Sequence, residues 1–307
     1  AFYSTSFAPA LVLKGSFSHN IKGRQLRYFL IGFQFTVSLV LGMVAMFVNE
    51  QMNYMLSYDK GFSSENVLYS DLDASLASKH KELAANLKKH PEIVDVTFSA
   101  REFVPQDGLI MNWGRRFEGE SISFQCQPVE RNFAQFFDIK IIEGRYFEEQ
   151  DENTSNAHFI FNATAKAQYP FIDVGDTFWA YATDDDNVVG ISEDFHLKPL
   201  QYNVEPLALF YYDNNPNESM SYCYVKIASG LRIKDVEGIF EEEIRKLHAD
   251  VATELISLNY YDENIAQLYE KERKLSSLNF MACILSILIA VIGILGLITF
   301  ETQYRKK

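Results

Sequence analysis

Two long, uncharged apolar runs constrain this chain more than any other feature. They span Tyr28–Asn49 and Leu275–Phe300, and a long acidic stretch separates them. Each run exceeds the roughly 20 residues that an α-helix needs to cross about 30 Å of hydrocarbon. The sequence therefore predicts two membrane-spanning helices, at residues 28–49 and 275–300, with one large domain between them.

The charge distribution predicts the orientation of both helices. Residues 1–27 carry +4 and residues 301–307 carry +2, which leaves −19 of the net charge of −13 for the residues between them. Basic flanks stay on the cytoplasmic side of a membrane. We therefore expect both termini to be cytoplasmic and residues 50–274 to be outside. A domain with this negative charge repels nucleic acid and anionic lipid, so neither is expected to bind it.

A cleaved signal peptide is the alternative for the first run, because a basic flank before an apolar run describes both. The run is longer than a typical signal core, and Val44–Met46 offers no small-x-small cleavage site. An uncleaved span is therefore favoured. The chain has no initial Met and stops directly after a basic triplet, which indicates a piece of a longer protein.

The three cysteines are too few for a disulfide framework. Cys283 lies within the second apolar run, so only Cys126 and Cys223 belong to the central domain. These two either form a disulfide in an oxidising compartment or remain as buried thiols. The sequence does not decide between the two states.

The central domain contains two strand–helix–strand patterns. The first has a strand at Val67–Tyr69, a helix capped by Asp73 or Ser75, and a strand at Ile93–Phe98. The second has a strand at Tyr222–Ile227, a helix after Asp235, and a strand at Glu254–Leu258. We expect the two units to pair into one sheet with its helices on one face, in a split ferredoxin-like arrangement.

Residues 101–219 have a different sequence pattern. Short β-type runs alternate with turn residues, and one helix-like stretch occurs at Asn162–Tyr169. This pattern predicts a β-rich lobe inserted into the α/β part. The fold class is therefore α+β, with two transmembrane helices flanking an extracytoplasmic domain made of an α/β part and an inserted β-rich lobe.

The segment before the second apolar run contains no helix breaker. Asp262–Arg273 places Ile265, Leu268 and Tyr269 at helical spacing and continues directly into Leu275–Phe300. A continuous helix from Asp262 to Phe300 would be roughly 58 Å long, about twice the hydrocarbon thickness. We therefore expect residues 262–274 to form a stalk helix above the membrane. A connector without a mechanical role is the alternative.

Three groups of polar residues are candidates for chemistry, and each has a plainer interpretation. Asp194–His196 contains a carboxylate and an imidazole, but an extended chain would place Phe195 in the core and leave both polar groups on one face. Asp184–Asp186 lacks the ligand spacing of a calcium loop, so a solvated hairpin turn is favoured. Glu241–Glu243 is expected on the wet face of its helix. We assign no catalytic, cofactor-binding or metal-binding residues and expect no enzyme activity and no cofactor.

Both apolar runs carry small residues that suit close contact between helices. They are Gly32, Ser38 and Gly42 in the first run and Ala290, Gly293 and Gly296 in the second.

Several segments, in this order along nearly the whole chain, resemble the MacB/FtsX-type ABC transporter permeases, particularly their long Bacteroidetes-like form. The segments are Ser6–Ala10, Leu13–Ser16, Leu26–Arg27, Phe33–Phe35, Tyr58–Phe62, Glu65–Leu68, Glu143–Phe147, Phe161–Ala165, Val189–His196, Leu268–Arg273, Gly293–Leu297 and Arg305–Lys307. The chain has Ser192 and Glu193 where the family has a Val-Lys pair before its Asp-Phe-His triplet. It also ends before the segment that meets the ATPase in the family.

The resemblance implies a non-catalytic permease subunit in the bacterial inner membrane, multi-pass, with a periplasmic domain of a porter-like α/β part and a β-rich insert. It implies a cytoplasmic ABC ATPase subunit and a second permease copy as partners, with membrane lipid around the spans and a periplasmic protein as a further candidate. Its role would be to transmit ATPase-driven motion through stalk helices, in efflux or mechanotransmission. The alternative is a two-span extracytoplasmic sensor or receptor of a signalling protein.

Overall fold

The computed structural model describes residues 21–106, 108, 110–117, 120–178, 186–213, 219–248 and 257–305. It divides into two compact units. One unit contains the chain up to Ser57 and from Glu270 onward, and the other contains Tyr58–Tyr269. We call the first the helical unit and the second the globular domain.

The helices are numbered in chain order. They are α1 (Ile21–Ser57), α2 (Ala74–Ala77), α3 (His80–Leu87), α4 (Phe133–Phe136), α5 (Ala163–Gln168), α6 (Ile233–Leu247), α7 (Tyr261–Gln267) and α8 (Glu270–Arg305).

The strands all belong to the globular domain. They are β1 (Val67–Asp71), β2 (Ile93–Ser99), β3 (Asn112–Phe117), β4 (Glu120–Pro128), β5 (Ile141–Gly144), β6 (His158–Asn162), β7 (Thr177–Phe178), β8 (Asp186–Ser192), β9 (Leu207–Tyr211), β10 (Tyr222–Ile227) and β11 (Asn259–Tyr260).

The helical unit contains two helices that are long and apolar enough to cross a membrane, over Tyr28–Met55 and Glu270–Gly296. The predicted runs lie inside the whole helices α1 and α8. The two helices pack in antiparallel directions, because Ser38 Oγ lies 2.7 Å from Ser286 Oγ, while the earlier Gln34 lies against the later Gly293.

The predicted small residues divide into two groups. A Cβ added to Gly42 would lie 3.7 Å from Cys283 Sγ, and one added to Gly293 would lie 3.5 Å from Gln34 Oε1. Ser38 and Ala290 are buried as well. A Cβ on Gly32 or Gly296 would meet no atom within 4 Å, so these two glycines do not form the contact between α1 and α8.

The predicted pairing of the two strand–helix–strand units is confirmed. One antiparallel sheet has the order β11-β1-β10-β2, with Leu68 opposite Val225 and Cys223 opposite Phe98. Helices α3 and α6 cover one face through a buried apolar cluster that includes Leu83. The last strand is Asn259–Tyr260, beyond the predicted Glu254–Leu258, of which residues 254–256 lie outside the described residues.

The first predicted helix of the domain is divided into α2 and α3. Asp73 caps α2, because its carboxylate accepts hydrogen bonds from the backbone N–H groups of Ser75 and Leu76, both at 2.9 Å. A turn at residues 78–79 then separates the two helices.

Residues 112–211 form a second sheet of seven strands, in the order β3-β4-β9-β6-β8-β5 with β7 paired to β8. The sheet is mixed, since β4 runs parallel to β9 and β6 runs parallel to β8. One buried cluster joins residues of both sheets, with Val67 and Tyr224 from the first and Leu209 and Tyr211 from the second. The sheets thus share a core, and the predicted boundaries of the insert at 101 and 219 stay a prediction.

The prediction of one continuous helix from Asp262 to Phe300 is wrong. Helix α7 ends at Gln267, and α8 begins at Glu270. In the turn between them, the N–H of Leu268 donates to Ile265 O and that of Tyr269 donates to Ala266 O, both at 3.2 Å. These short-range bonds tighten the chain where Tyr269 is buried in the globular domain. Tertiary packing therefore overrides the helical propensity of the segment.

Cys126 and Cys223 are both buried thiols, and neither forms a disulfide. They lie in different sheets, on β4 and β10. Burial raises the pKa of the Cys223 thiol, so this sulfur stays protonated and behaves as an apolar group. The sequence left open whether the two cysteines form a disulfide or remain buried thiols, and in the structure they are buried thiols.

Candidate functional site

Two short segments connect the globular domain to the apolar helices. The first connector, residues 58–66, follows α1, and the second connector, residues 261–269, precedes α8. Within the domain the two connectors touch each other, because Ser64 Oγ donates a hydrogen bond to the carboxylate of Asp262. The chain therefore enters and leaves the globular domain at one place.

Both connectors also insert aromatic side chains into one cluster. Phe62 of the first connector lies 5.0 Å from Phe103 and 6.0 Å from Phe137, measured between ring centroids. Tyr261 of the second connector lies 5.8 Å from Phe137 and 5.2 Å from Tyr224. Such ring pairs contribute about 0.5–1.5 kcal/mol each beyond their buried area. We call these five residues the shared aromatic core.

A buried hydrogen bond holds the shared aromatic core to the first sheet. The hydroxyl of Tyr224, on β10, accepts a hydrogen bond of 2.9 Å from the N–H of Phe103. Burial raises the pKa of this hydroxyl, so it remains a neutral hydrogen-bonding group. Phe62 and Tyr261 both contact Phe137, and a close-packed interior of this kind can transmit strain between them.

The Asp194–His196 triplet fastens the first connector. Asp194 accepts hydrogen bonds of 2.8 Å from the N–H and from the Oγ1 of Thr164 at the start of α5. Phe195 is buried, with its ring 5.8 Å from that of Phe103. The N–H of His196 donates to Lys60 O at 2.8 Å. Phe195 therefore lies in the core as predicted, and the backbone of the triplet binds the connector.

The imidazole of His196 lies against the first connector. Its ring is 5.6 Å from that of Tyr58 in an edge-on contact. Burial lowers the pKa of His196, although the charge of Asp194 acts in the opposite direction. The ring is therefore neutral near pH 7 and acts as a packing group.

Gly61 allows the first connector to approach the triplet. Its φ is +80°, and a Cβ would lie 2.4 Å from Asp194 O and 3.0 Å from the Cα of Phe195. Its N–H donates to Asp59 Oδ1 at 2.9 Å. Only glycine combines this backbone conformation with this contact.

The second connector is held by polar contacts as well as by its aromatic residues. The side-chain amide of Asn264, which is buried, donates to Glu102 Oε1 at 2.7 Å. The amide of Gln106 donates to Asn264 O at 2.6 Å. The Tyr269 hydroxyl accepts from the N–H of Leu200 at 3.4 Å. Helix α7 is thus embedded in the globular domain and does not stand free of it.

A second buried polar cluster follows β5. Arg145 forms two hydrogen bonds with Asp151, at 2.6 and 2.8 Å, and Asp151 also accepts from the N–H of Glu148 at 2.8 Å. Burial alone would raise the pKa of Asp151, but the bonds from Arg145 and Glu148 lower it below its ordinary value. His158 lies 3.8 Å from Asp151, and burial lowers the pKa of this imidazole. The cluster fixes the loop after β5 against β6.

The predictions that Glu241–Glu243 and Asp184–Asp186 are exposed to solvent are both wrong in part. Glu243 is buried rather than solvated, because it accepts hydrogen bonds from His90 Nε2 at 3.0 Å and from Lys246 Nζ at 2.7 Å. Asp186 is also buried, and it accepts from the N–H of Ala157 at 3.2 Å. Asp184 and Asp185 lie outside the described residues.

The contacts of the shared aromatic core and of the triplet are packing and hydrogen-bonding contacts. Within the described ranges, no three His, Cys, Asp or Glu side chains are grouped to hold a metal ion. The geometry can couple the positions of the two connectors.

No family model and no curated protein matches the chain. Several solved structures match the globular part of the chain in fold. The periplasmic region of MacB from Actinobacillus actinomycetemcomitans matches with a TM-score of 0.47 and 16% identity, over 70% of this chain and 97% of that one. The extracellular domain of the noncanonic ABC-type transporter YknZ from Gram-positive bacteria matches with a TM-score of 0.45 and 13% identity, over 63% and 100%.

A third match is a domain of a permease protein from Porphyromonas gingivalis, with a TM-score of 0.44 and 14% identity, over 65% of this chain and 93% of that one. These structures are of the class that the sequence motifs resemble.

A substitution at Gly61 tests the close contact between the first connector and the Asp194–His196 triplet. Gly61→Ala is expected to destabilise the chain by about 3 kcal/mol, because a left-handed alanine costs about 1–2 kcal/mol and the clash adds to it. Gly230→Ala is the matched control, since Gly230 has a φ of +88° and open space around it. It should cost only about 1–2 kcal/mol. Denaturant unfolding of both variants measures the difference, and equal losses would contradict the tight contact.

The Arg145–Asp151 pair predicts a pH dependence of stability. A carboxyl whose pKa is lowered by folding stabilises the protein above its unfolded pKa, about 3.9 for Asp, and loses this contribution as the pH falls through the folded pKa. Arg145→Gln should lower the free energy of unfolding by about 2 kcal/mol at pH 7. This is less than the cost of breaking a fully buried ion pair, because Arg145 is partly exposed. The difference between wild type and variant should shrink below about pH 4. Unfolding free energies from pH 3 to 7 check this, and a difference that grows at low pH would contradict it.

Proposed function

We propose that this chain is a permease component of a MacB/FtsX-type ABC transporter that carries out no chemistry itself. In this proposal a cytoplasmic ABC ATPase moves the membrane helices, and the helices pass this displacement to a periplasmic globular domain. The observation that carries the proposal is that both connectors end in one packed cluster, through Phe62, Phe137 and Tyr261. A domain tethered for anchoring alone would need only one flexible linker at each end.

The coupling differs from a free-standing stalk. Helix α7 is packed inside the globular domain, and the chain turns at Leu268–Tyr269 before α8 begins. Displacement of α8 would therefore act directly on α7 and on the Ser64–Asp262 hydrogen bond. Displacement of α1 would act on Phe62 and on Gly61.

A two-span receptor is the second candidate function. It would use the same two helices and the same connectors to drive a cytoplasmic signalling module. The ordered motifs, from Tyr58–Phe62 through Val189–His196 to Leu268–Arg273, favour the permease. Purification of the chain with its natural partners separates the two, since a permease should bring down an ABC ATPase and a second permease copy, and a receptor should bring down a signalling enzyme.

The proposed location is the bacterial inner membrane, with the central domain in the periplasm and both termini in the cytoplasm. A cysteine introduced at Ser155, which is exposed, should react with a membrane-impermeant maleimide in cells with a permeabilised outer membrane. A cysteine at Ser18, a position outside the described residues, should react only after lysis. Labelling of position 18 from outside would contradict this topology.

Gln267 tests the coupling, because it is exposed and is the last residue of α7. Gln267→Pro removes a backbone donor and disturbs the preceding turn, at a cost of about 3 kcal/mol. In the full-length transporter, output should be lost while ATP hydrolysis continues, with rescue of a deletion phenotype as the measure of output. Gln267→Ala keeps the helix and should rescue fully.

Full rescue by a correctly folded and inserted Gln267→Pro variant would contradict the coupling. His196→Ala should also rescue wherever the domain folds, because the imidazole is assigned only a packing role. Loss of output from His196→Ala with normal folding and ATPase activity would indicate a ligand site instead.

A further inference from the structure

A groove of about 730 Å³ opens between α1 and α8 in the part of the helical unit that leads to the connectors. Part of its wall is apolar or small, formed by Gly42, Ala45, Met46, Met52, Phe280 and Cys283. An apolar wall of this kind accepts a hydrocarbon chain without leaving any polar group unpaired.

The rim of the groove is polar and positively charged. Arg273, Asn49, Asn53, Ser276 and Ser277 line it. Arg273 makes no salt bridge with any residue in the part of the chain that the structure describes, whereas its neighbour Lys274 pairs with Glu270 at 2.8 Å. A guanidinium donates paired hydrogen bonds to a phosphate, and amides and hydroxyls supply further donors.

The depth of the groove indicates which kind of molecule fits it. Arg273 and Cys283 are ten positions apart on α8, which at 1.5 Å per residue is about 15 Å. This is half of the roughly 30 Å hydrocarbon layer, and so the depth of one leaflet. Beyond it the helices close on each other through Ser38 and Ser286 and through Gln34 and Gly293. A groove that ends at this depth matches an acyl chain, which extends through one leaflet.

We propose that this groove binds one anionic phospholipid, with an acyl chain along the apolar wall and the phosphate at Arg273. The site belongs to the leaflet at the connector end of the helices, and it does not depend on the proposed permease function. Arg273 lines the groove and makes no salt bridge among the described residues, so it can supply the positive charge that the phosphate requires. The lipid would fill the space between α1 and α8.

Native mass spectrometry of the full chain, released from membranes of equal parts phosphatidylglycerol and phosphatidylcholine, tests the headgroup. Wild type should retain phosphatidylglycerol over phosphatidylcholine by roughly fivefold, the contribution of one basic residue at an anionic surface. Arg273→Gln should bring the ratio close to one. Lys274→Gln is the matched control and should keep it, because Lys274 is the adjacent residue, is paired with Glu270 and does not line the groove.

A second pair of variants tests the acyl chain. Met46→Trp places a larger side chain in the groove and should reduce retention of both lipids several-fold. Met43→Trp lies on the same helix, exposed and outside the groove, and should retain lipid like wild type. Equal retention of the two lipids by wild type would overturn the proposal. So would a normal ratio in Arg273→Gln, or unchanged retention in Met46→Trp, in variants with wild-type circular dichroism.

Discussion

The packing of one aromatic ring from each connector on Phe137 organises the rest of this domain. Phe62 and Tyr261 are far apart in sequence and belong to segments that follow and precede different apolar helices, yet both rings pack on Phe137. Every other feature of the site supports this contact. Gly61 lets the chain reach the core, the Asp194–His196 triplet holds the chain there, and Asp262 links it to the second connector.

The same packing bears on the mechanical coupling that we propose. A long helix rising from a membrane transmits motion by its own stiffness, but α7 is short and is held on several sides by Glu102, Gln106 and the aromatic rings. Stiffness then belongs to the packed domain, because a close-packed core resists deformation. The turn at Leu268–Tyr269 is the place where such a domain would receive motion from α8.

Much of the fold could be predicted from local pattern. The strand at Tyr222–Ile227 was predicted with its observed bounds, because its residues favour a strand. Glu243 and the end of α7 could not be predicted, because their states depend on partners distant in sequence: His90 for the carboxylate, and the shared aromatic core for the helix. The partnership of Gly61 with Asp194 was also beyond the sequence, because a glycine does not indicate which backbone will approach it.

A disulfide across the connectors tests the central claim most directly. Ser64 and Asp262 already touch, so cysteines at these two positions in the full-length protein can be joined by oxidation and separated by reduction. If the protein has the proposed function and the two connectors move as one body, the cross-linked protein should keep its cellular output, and Asp262→Ala without a cross-link should weaken it. If oxidation abolishes output and reduction restores it, the connectors must separate during the cycle, and the shared aromatic core would not be the coupling element.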